Sequence, residues 1–209
     1  MATSTFLGLT LTLGSPALTA LRIAPLLGST ASLTHAYMEW LTNTSFLVPA
    51  PVDSRLSRLL RGVNTASEGL ATGAPPPSDA ELADAKQMVV PEWFTNFFNT
   101  GVVSVVALNS LTVVSACLNL VFSEGLGESK GFYQAGLGAA VAHYAFVPLV
   151  GRSVRALIGL AATRREGGDK AVDWVREWVG YHRIRMCTVD ALALGCFSWG
   201  VVHAVSPKA

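Results

Sequence analysis

The sequence predicts an all-α, polytopic membrane protein: a four-helix bundle with a long basic, proline-rich loop between its first two helices. Three observations predict it. The 209 residues are 51% hydrophobic and only 14% charged, where an average soluble domain is about a quarter charged. The few charges are clustered, which leaves nearly uncharged windows at 3–21, 95–123, 132–151 and 191–206. These windows are 16 to 29 residues long, and about 20 helical residues cross a hydrocarbon core of roughly 30 Å. A soluble helical protein with a large core is the competing reading. Buried soluble helices seldom come four at a time at this length.

Charge and cysteine usage narrow the function classes. A net charge of +1 gives no basic footprint for a nucleic-acid partner. Cys117, Cys187 and Cys196 lie in apolar segments with no C-x-x-C pair, so they read as small core residues rather than a redox couple. No Lys or Arg precedes Arg22. A secretory signal wants a basic start, so the first segment is expected to be retained, lying at the interface or over the bundle.

The single domain, 1–209, is then read in order. Helix 1 is expected at about 16–40, with Gly28, Ser32, His35 and Glu39 on one face and His35–Glu39 at the i, i+4 spacing of a hydrogen-bonding pair. Residues 41–90 form the connection. In it Arg55, Arg58 and Arg61, interleaved with leucines, predict a short amphipathic helix on lipid headgroups. The stretch 74–84, with three consecutive prolines and three acids, predicts a solvated loop.

Pro91 is expected to open helix 2, about 93–122, since proline is favoured at the first helical position. Trp93, Phe94, Phe97 and Phe98 form an aromatic belt where the chain enters the membrane. Asn109, Thr112, Ala116 and Asn119 share a face, which suits helix packing or donors into a ligand pocket. Helix 3, about 132–151, places Gly136, Ala140 and His143 on one face, and an intramembrane histidine is a functional candidate by default. A helix-to-helix hydrogen bond explains it equally.

Residues 151–185 are basic, with a polar break at 164–169. Helix 4, about 174–205, opens on Trp178, His182 and Arg185, which share a stripe at i, i+4 and i+7. Asp190 follows inside the apolar run, where a carboxylate needs a partner or a role. Lys and Arg concentrate in the connections after helices 1 and 3. By the positive-inside bias both long basic loops are cytosolic. His35, Glu39, the Trp93 belt, His143, His182 and Arg185 then fall in one half of the membrane, which predicts a single polar pocket.

Two motifs carry a family resemblance. One is Val90-Pro91-Glu92-Trp93-Phe94-Thr95-Asn96-Phe97-Phe98-Asn99-Thr100-Gly101, followed by Asn109 and Thr112. The other is Trp178-x-x-x-His182-x-x-Arg185. With Gly28-Ser29-Thr30-Ala31-Ser32-Leu33 at helix 1, the chain resembles the anthrone oxygenase-like family, small four-helix integral membrane proteins of fungal polyketide pathways. It departs from the family pattern at Val147-Pro148-Leu149-Val150-Gly151-Arg152, which keeps a proline but lacks an asparagine. A different substrate follows if that asparagine acts in relatives.

The resemblance implies oxidation of an anthrone to an anthraquinone, with O2 as co-substrate, no bound cofactor and an endoplasmic reticulum location. The chain accordingly has no G-x-G-x-x-G fingerprint and no C-x-x-C-H haem site. An anthrone's central CH2 is acidic, and histidine is the base suited to it near neutrality. His182 is the first expected base and His143 the second, with Arg185 holding the oxyanion. Asn109 and His35 are expected to bind phenolic hydroxyls, while Trp93, Phe97 and Trp178 stack on the rings.

Interfacial anchoring is the structural alternative for the same residues. A metal-dependent oxidase, with His35, Glu39, His143 and His182 as ligands, is a second enzymatic reading. A non-catalytic scaffold, self-associating as a homo-oligomer or binding a hydrophobic ligand, is the third.

Overall fold

A computed structural model describes residues 1–6, 8–51, 54–60, 78–163 and 171–205. Arg61, the prolines at 75–77, Arg164, Arg165 and Lys170 lie outside the described residues. The chain is mostly helical. It opens with an antiparallel hairpin, β1 (Ala2–Phe6) and β2 (Leu9–Leu13), turning at Gly8 with φ +80°. A positive φ is where glycine costs least. Threonines alternate along both strands and pair across them, Thr3 with Thr12 and Thr5 with Thr10. This period-2 pattern makes the first segment a two-stranded ribbon ahead of the first helix.

Helix α1 (Ser15–Thr44) starts with proline in its first turn and buries Arg22, Gly28, Ser29 and Glu39. The short α2 (Arg55–Leu60) leaves Leu56, Leu59 and Leu60 exposed. Helix α3 (Asp79–Val121) corrects two expectations. It starts at a capping box, in which the Ser78 side chain accepts from the Glu81 N–H and the Glu81 carboxylate accepts from the Ser78 N–H. Two otherwise orphaned donors are thereby satisfied, and residues from Asp79 onward are helix, not loop. Pro91 lies inside the helix rather than at its start.

The third long helix is α4 (Ser129–Ala142), a 3-10 turn (His143–Phe146) and α5 (Val147–Thr163). The fourth is α6 (Ala171–Arg185), a π turn (Met186–Asp190) and α7 (Ala191–Val205). Much of the expected basic loop at 151–185 is therefore helix.

Residues Ala80–Val121, Ser129–Thr163 and Ala171–Val205 are long and apolar enough to cross a membrane, as an integral membrane protein requires. α1 is not among them. Its 30 residues rise about 45 Å at 1.5 Å each, but it carries Arg22, His35 and Glu39.

α1 packs on α3 and α7, α4 on α7, and α5 on α6. One apolar cluster, around Phe94, Leu157, Val175 and Trp178, fills one end of the bundle; another, around Tyr133, Ala116 and Phe197, fills the other. A polar seam joins them. Gly28 lies against Thr112, so close that a Cβ would sit 3.2 Å from the Thr112 nitrogen. The Asn119 amide donates to the Leu21 carbonyl at 2.7 Å and the Tyr133 hydroxyl to the Arg22 carbonyl at 2.7 Å. Small residues and side-chain-to-backbone bonds of this kind hold membrane helices together. Gly136 admits the Phe197 ring, not a neighbouring backbone. Cys117 and Cys187 are exposed and Cys196 is half-buried, all as free thiols. They are not core residues, because the faces that carry them point out of the bundle.

Candidate functional site

Two helices break α geometry, and the breaks meet. Pro148 has no N–H, so the Tyr144 carbonyl four residues before it has no α-helical partner. The Val147 N–H bonds to that carbonyl instead. The chain tightens into the 3-10 turn that begins at His143. In the facing helix the Ala191 N–H reaches the Met186 carbonyl, five residues back. On an α-helix Arg185 and Asp190 would stand about 140° apart at 3.6 residues per turn. The extra residue of the π turn brings them onto one side. Such irregular turns recur at functional sites.

The result is a three-membered polar chain. His143 Nδ1 donates to Asp190 Oδ1 at 2.8 Å, and Arg185 Nε donates to Asp190 Oδ2 at 3.2 Å. His143 is 4% exposed and Asp190 8%. A carboxylate this deep is costly alone; here both oxygens are occupied and a guanidinium balances the charge. With Nδ1–H committed to Asp190, the basic nitrogen of His143 is Nε2.

His182 is held differently. Its Nε2–H donates to the Ala36 carbonyl at 2.8 Å, tying α6 to α1. Its ring stacks on Trp178 at 4.6 Å between centroids. Glu39 lies 3.8 Å from His182 Nε2 and 3.6 Å from His35 Nδ1. The carboxylate fits there because Gly101 has no side chain: a Cβ at that position would lie 3.2 Å from Glu39 Oε1.

These groups surround a cavity of about 190 Å³. Glu39, His143, Trp178, His182 and Arg185 form its polar and aromatic wall. Phe98, Val102, Val105, Val106, Tyr144, Val147, Val150, Gly151 and Val154 form its apolar wall. Val106, Tyr144 and Val147 are themselves exposed, so the cavity opens between α3 and the α4–α5 helix onto the outer, apolar face of the bundle. An enclosed apolar cavity of about 150 Å³ holds a benzene ring. This cavity, about 190 Å³, is larger than that and open on one side.

The sequence-predicted residues divide into three groups. His143, His182, Arg185 and Trp178 meet at the cavity. Trp93 and Phe97 do not line it: Phe97 stacks on Trp93 at 5.0 Å and presents to Trp178 edge-on at 6.2 Å, so the pair backs the wall. Phe98, one residue on, takes the place expected of Phe97. His35 stands behind Glu39. Asn109 belongs to the seam, where its amide donates to the Ala140 carbonyl at 3.4 Å. It also borders a void of about 10 Å³ with Ser29, Ser32, Thr112 and Asp190, roughly the room for one water.

Asp190 is the site residue that sequence reasoning left without a role; Glu39 was expected only as the partner of His35, in the shared pocket or as a metal ligand. The signal for Asp190 was its place in an apolar run; its partners depended on two irregular turns that no periodicity shows. Among the described residues no group of three or more His, Cys, Asp or Glu side chains is placed to hold a metal ion. No family model matches the chain, and comparison with curated proteins and with solved structures finds no significant match.

Proposed function

We propose that the chain is a membrane-embedded oxygenase that converts an anthrone-type aromatic polyketide to the anthraquinone with O2. The observation that carries this reading is the His143–Asp190–Arg185 chain at the wall of an apolar cavity open to the bilayer side. A fused-ring substrate partitions into the membrane and enters between α3 and the α4–α5 helix. Trp178, stacked on His182, offers an aromatic face.

The base is then His143 rather than His182. Asp190 holds its Nδ1–H, which fixes the tautomer and stabilises the imidazolium formed when Nε2 takes a proton. His182 gives its Nε2–H to a backbone carbonyl, a neutral acceptor that stabilises an imidazolium less than the Asp190 carboxylate does, so that ring positions the substrate. His143 removes one proton from the central CH2, leaving an aromatic enolate whose oxygen Arg185 stabilises. The enolate gives one electron to O2, and the resulting radical pair closes a C–O bond to give a peroxide, which the imidazolium protonates. Loss of the second C–H proton with O–O cleavage releases water and the quinone. One O2 is consumed and one water formed, with no external reductant.

We further place α1 across the membrane as a fourth span, the two basic connections on the cytosolic side and the protein in the endoplasmic reticulum. The charge distribution of the sequence supports that orientation.

The test is O2 uptake and quinone formation by detergent-purified protein across a panel of anthrones, with and without a chelator. Uptake above the protein-free rate, lost in His143→Gln and kept after chelation, is expected. Binding of anthrones with no uptake above the protein-free rate points instead to a hydrophobic-ligand carrier. Uptake abolished by chelation points to a metal oxidase.

A further inference from the structure

The opposite end of the bundle holds a second cavity, and its most buried polar group is a cation. Arg22 lies on α1, 17 residues before Glu39, about 25 Å away at 1.5 Å per residue. It is 5% exposed. Nη2 donates to the Glu124 carbonyl at 2.6 Å, while Nη1 is buried without a hydrogen-bond partner. Among the described residues no carboxylate lies within ion-pair distance of it. A buried charge left without a counter-charge is costly, and an ionisable group inside a membrane protein marks a site by default.

The cavity beside Arg22 measures about 420 Å³ and is bordered by Ser15, Thr19, Glu124, Gly125 and Met1. Ser15 begins α1 and borders the cavity. Pro16 has no N–H and the Leu18 N–H already bonds to the Gly14 carbonyl, which leaves the Ser15 and Ala17 amides and the positive end of the helix dipole at the same end of α1 as the guanidinium. Gly125 takes φ +75°, and a Cβ there would lie 3.9 Å from Arg22 Nη2, so the α3–α4 turn closes over the arginine without crowding it.

We propose that this cavity is an anion site that takes a phosphate group, with Arg22 as its cation and the start of α1 as a second set of donors. Guanidinium matches phosphate oxygens in a planar fork. The depth fits as well. Arg22 is seven residues into α1, about 10 Å from its start, at the level where a bilayer passes from hydrocarbon to headgroups when a 45 Å helix spans it. The same chemistry is supplied by a phospholipid headgroup or by free phosphate.

The experiment uses full-length protein in neutral detergent. Dioctanoyl phosphatidylglycerol, inorganic phosphate and dioctanoyl glycerol are titrated by calorimetry against wild type, Arg22→Gln and Thr19→Glu. Thr19→Glu places a carboxylate one turn from Arg22 at an exposed position. It supplies the missing counter-charge and leaves Arg22 and its carbonyl bond in place, so it decides the matter even where Arg22→Gln does not fold. Phosphatidylglycerol binding that falls at least 10-fold in Thr19→Glu is expected, with no binding of the phosphate-free lipid. Inorganic phosphate binding with the same dependence identifies free phosphate as a ligand; its failure to bind assigns the site to a headgroup. Equal binding of dioctanoyl glycerol, unchanged binding in Thr19→Glu, or no binding of either phosphate probe overturns the proposal.

Discussion

The seam along α1, α3 and α4 and the cavity beside His143 both put polar side chains in apolar surroundings, but they satisfy them in opposite ways. In the seam neutral amides and hydroxyls donate into backbone carbonyls: Asn119 to Leu21, Tyr133 to Arg22, Asn109 to Ala140. The acceptors are fixed by the helices, the donors are neutral, and a Cβ at Gly28 would strike Thr112. At the cavity, titratable groups face one another, His143 with Asp190 and Asp190 with Arg185, and they border empty space. Neutral polar groups closed onto backbone serve association. Ionisable groups held in order beside a void are what proton transfer needs. Polarity alone does not separate the two roles; what each group bonds to, and what lies next to it, does.

The sharpest way to break this contrast is His143→Gln. Glutamine keeps a donor toward Asp190 but has no base. Anthrone-dependent O2 uptake should fall by about 10²–10⁴-fold, roughly 3–5 kcal/mol of barrier, with the melting temperature nearly unchanged. Unchanged uptake would move His143 into the seam class. Asp190→Ala comes next. It leaves the Arg185 charge without its partner, and breaking a buried pair costs about 3 kcal/mol. A drop in both melting temperature and uptake is expected, whereas His143→Gln should lower uptake alone. Third is Gly28→Leu in the seam. Overpacking there should destabilise by about 2 kcal/mol, seen as earlier thermal unfolding in detergent. Turnover per folded molecule should stay at the wild-type rate.

The parts of this design that periodicity governs were legible in the chain. Trp178, His182 and Arg185 read as one stripe, and they share the cavity wall. Asn109, Thr112, Ala116 and Asn119 read as one face, and all four are buried. What escaped follows from local exceptions. The hairpin's alternating threonines are masked by the apolar residues between them. Ser78 and Glu81 form a capping box three residues apart, a start signal for α3 obscured by the prolines before it. Pro91 reads as a first-turn residue in isolation and lies inside a helix once that earlier start is fixed. The Asp190 pairings needed a 3-10 turn and a π turn in different helices. Only the first of these leaves a mark in sequence, at Pro148.

Asn109 gives the smallest effect and the closest comparison, because it touches both regions. The sequence offered it as a donor to a substrate hydroxyl; the fold sets its amide 3.4 Å from the Ala140 carbonyl, beside a water-sized void that Asp190 also borders. A bond of that length between membrane helices is worth about 0.6 kcal/mol. Asn109→Ala should therefore lower the melting temperature by a degree or two and leave the KM for anthrones unchanged. A KM raised several-fold at constant stability would place Asn109 in the cavity's work instead. It would also mean that α3 turns, on substrate binding, to free the amide from Ala140.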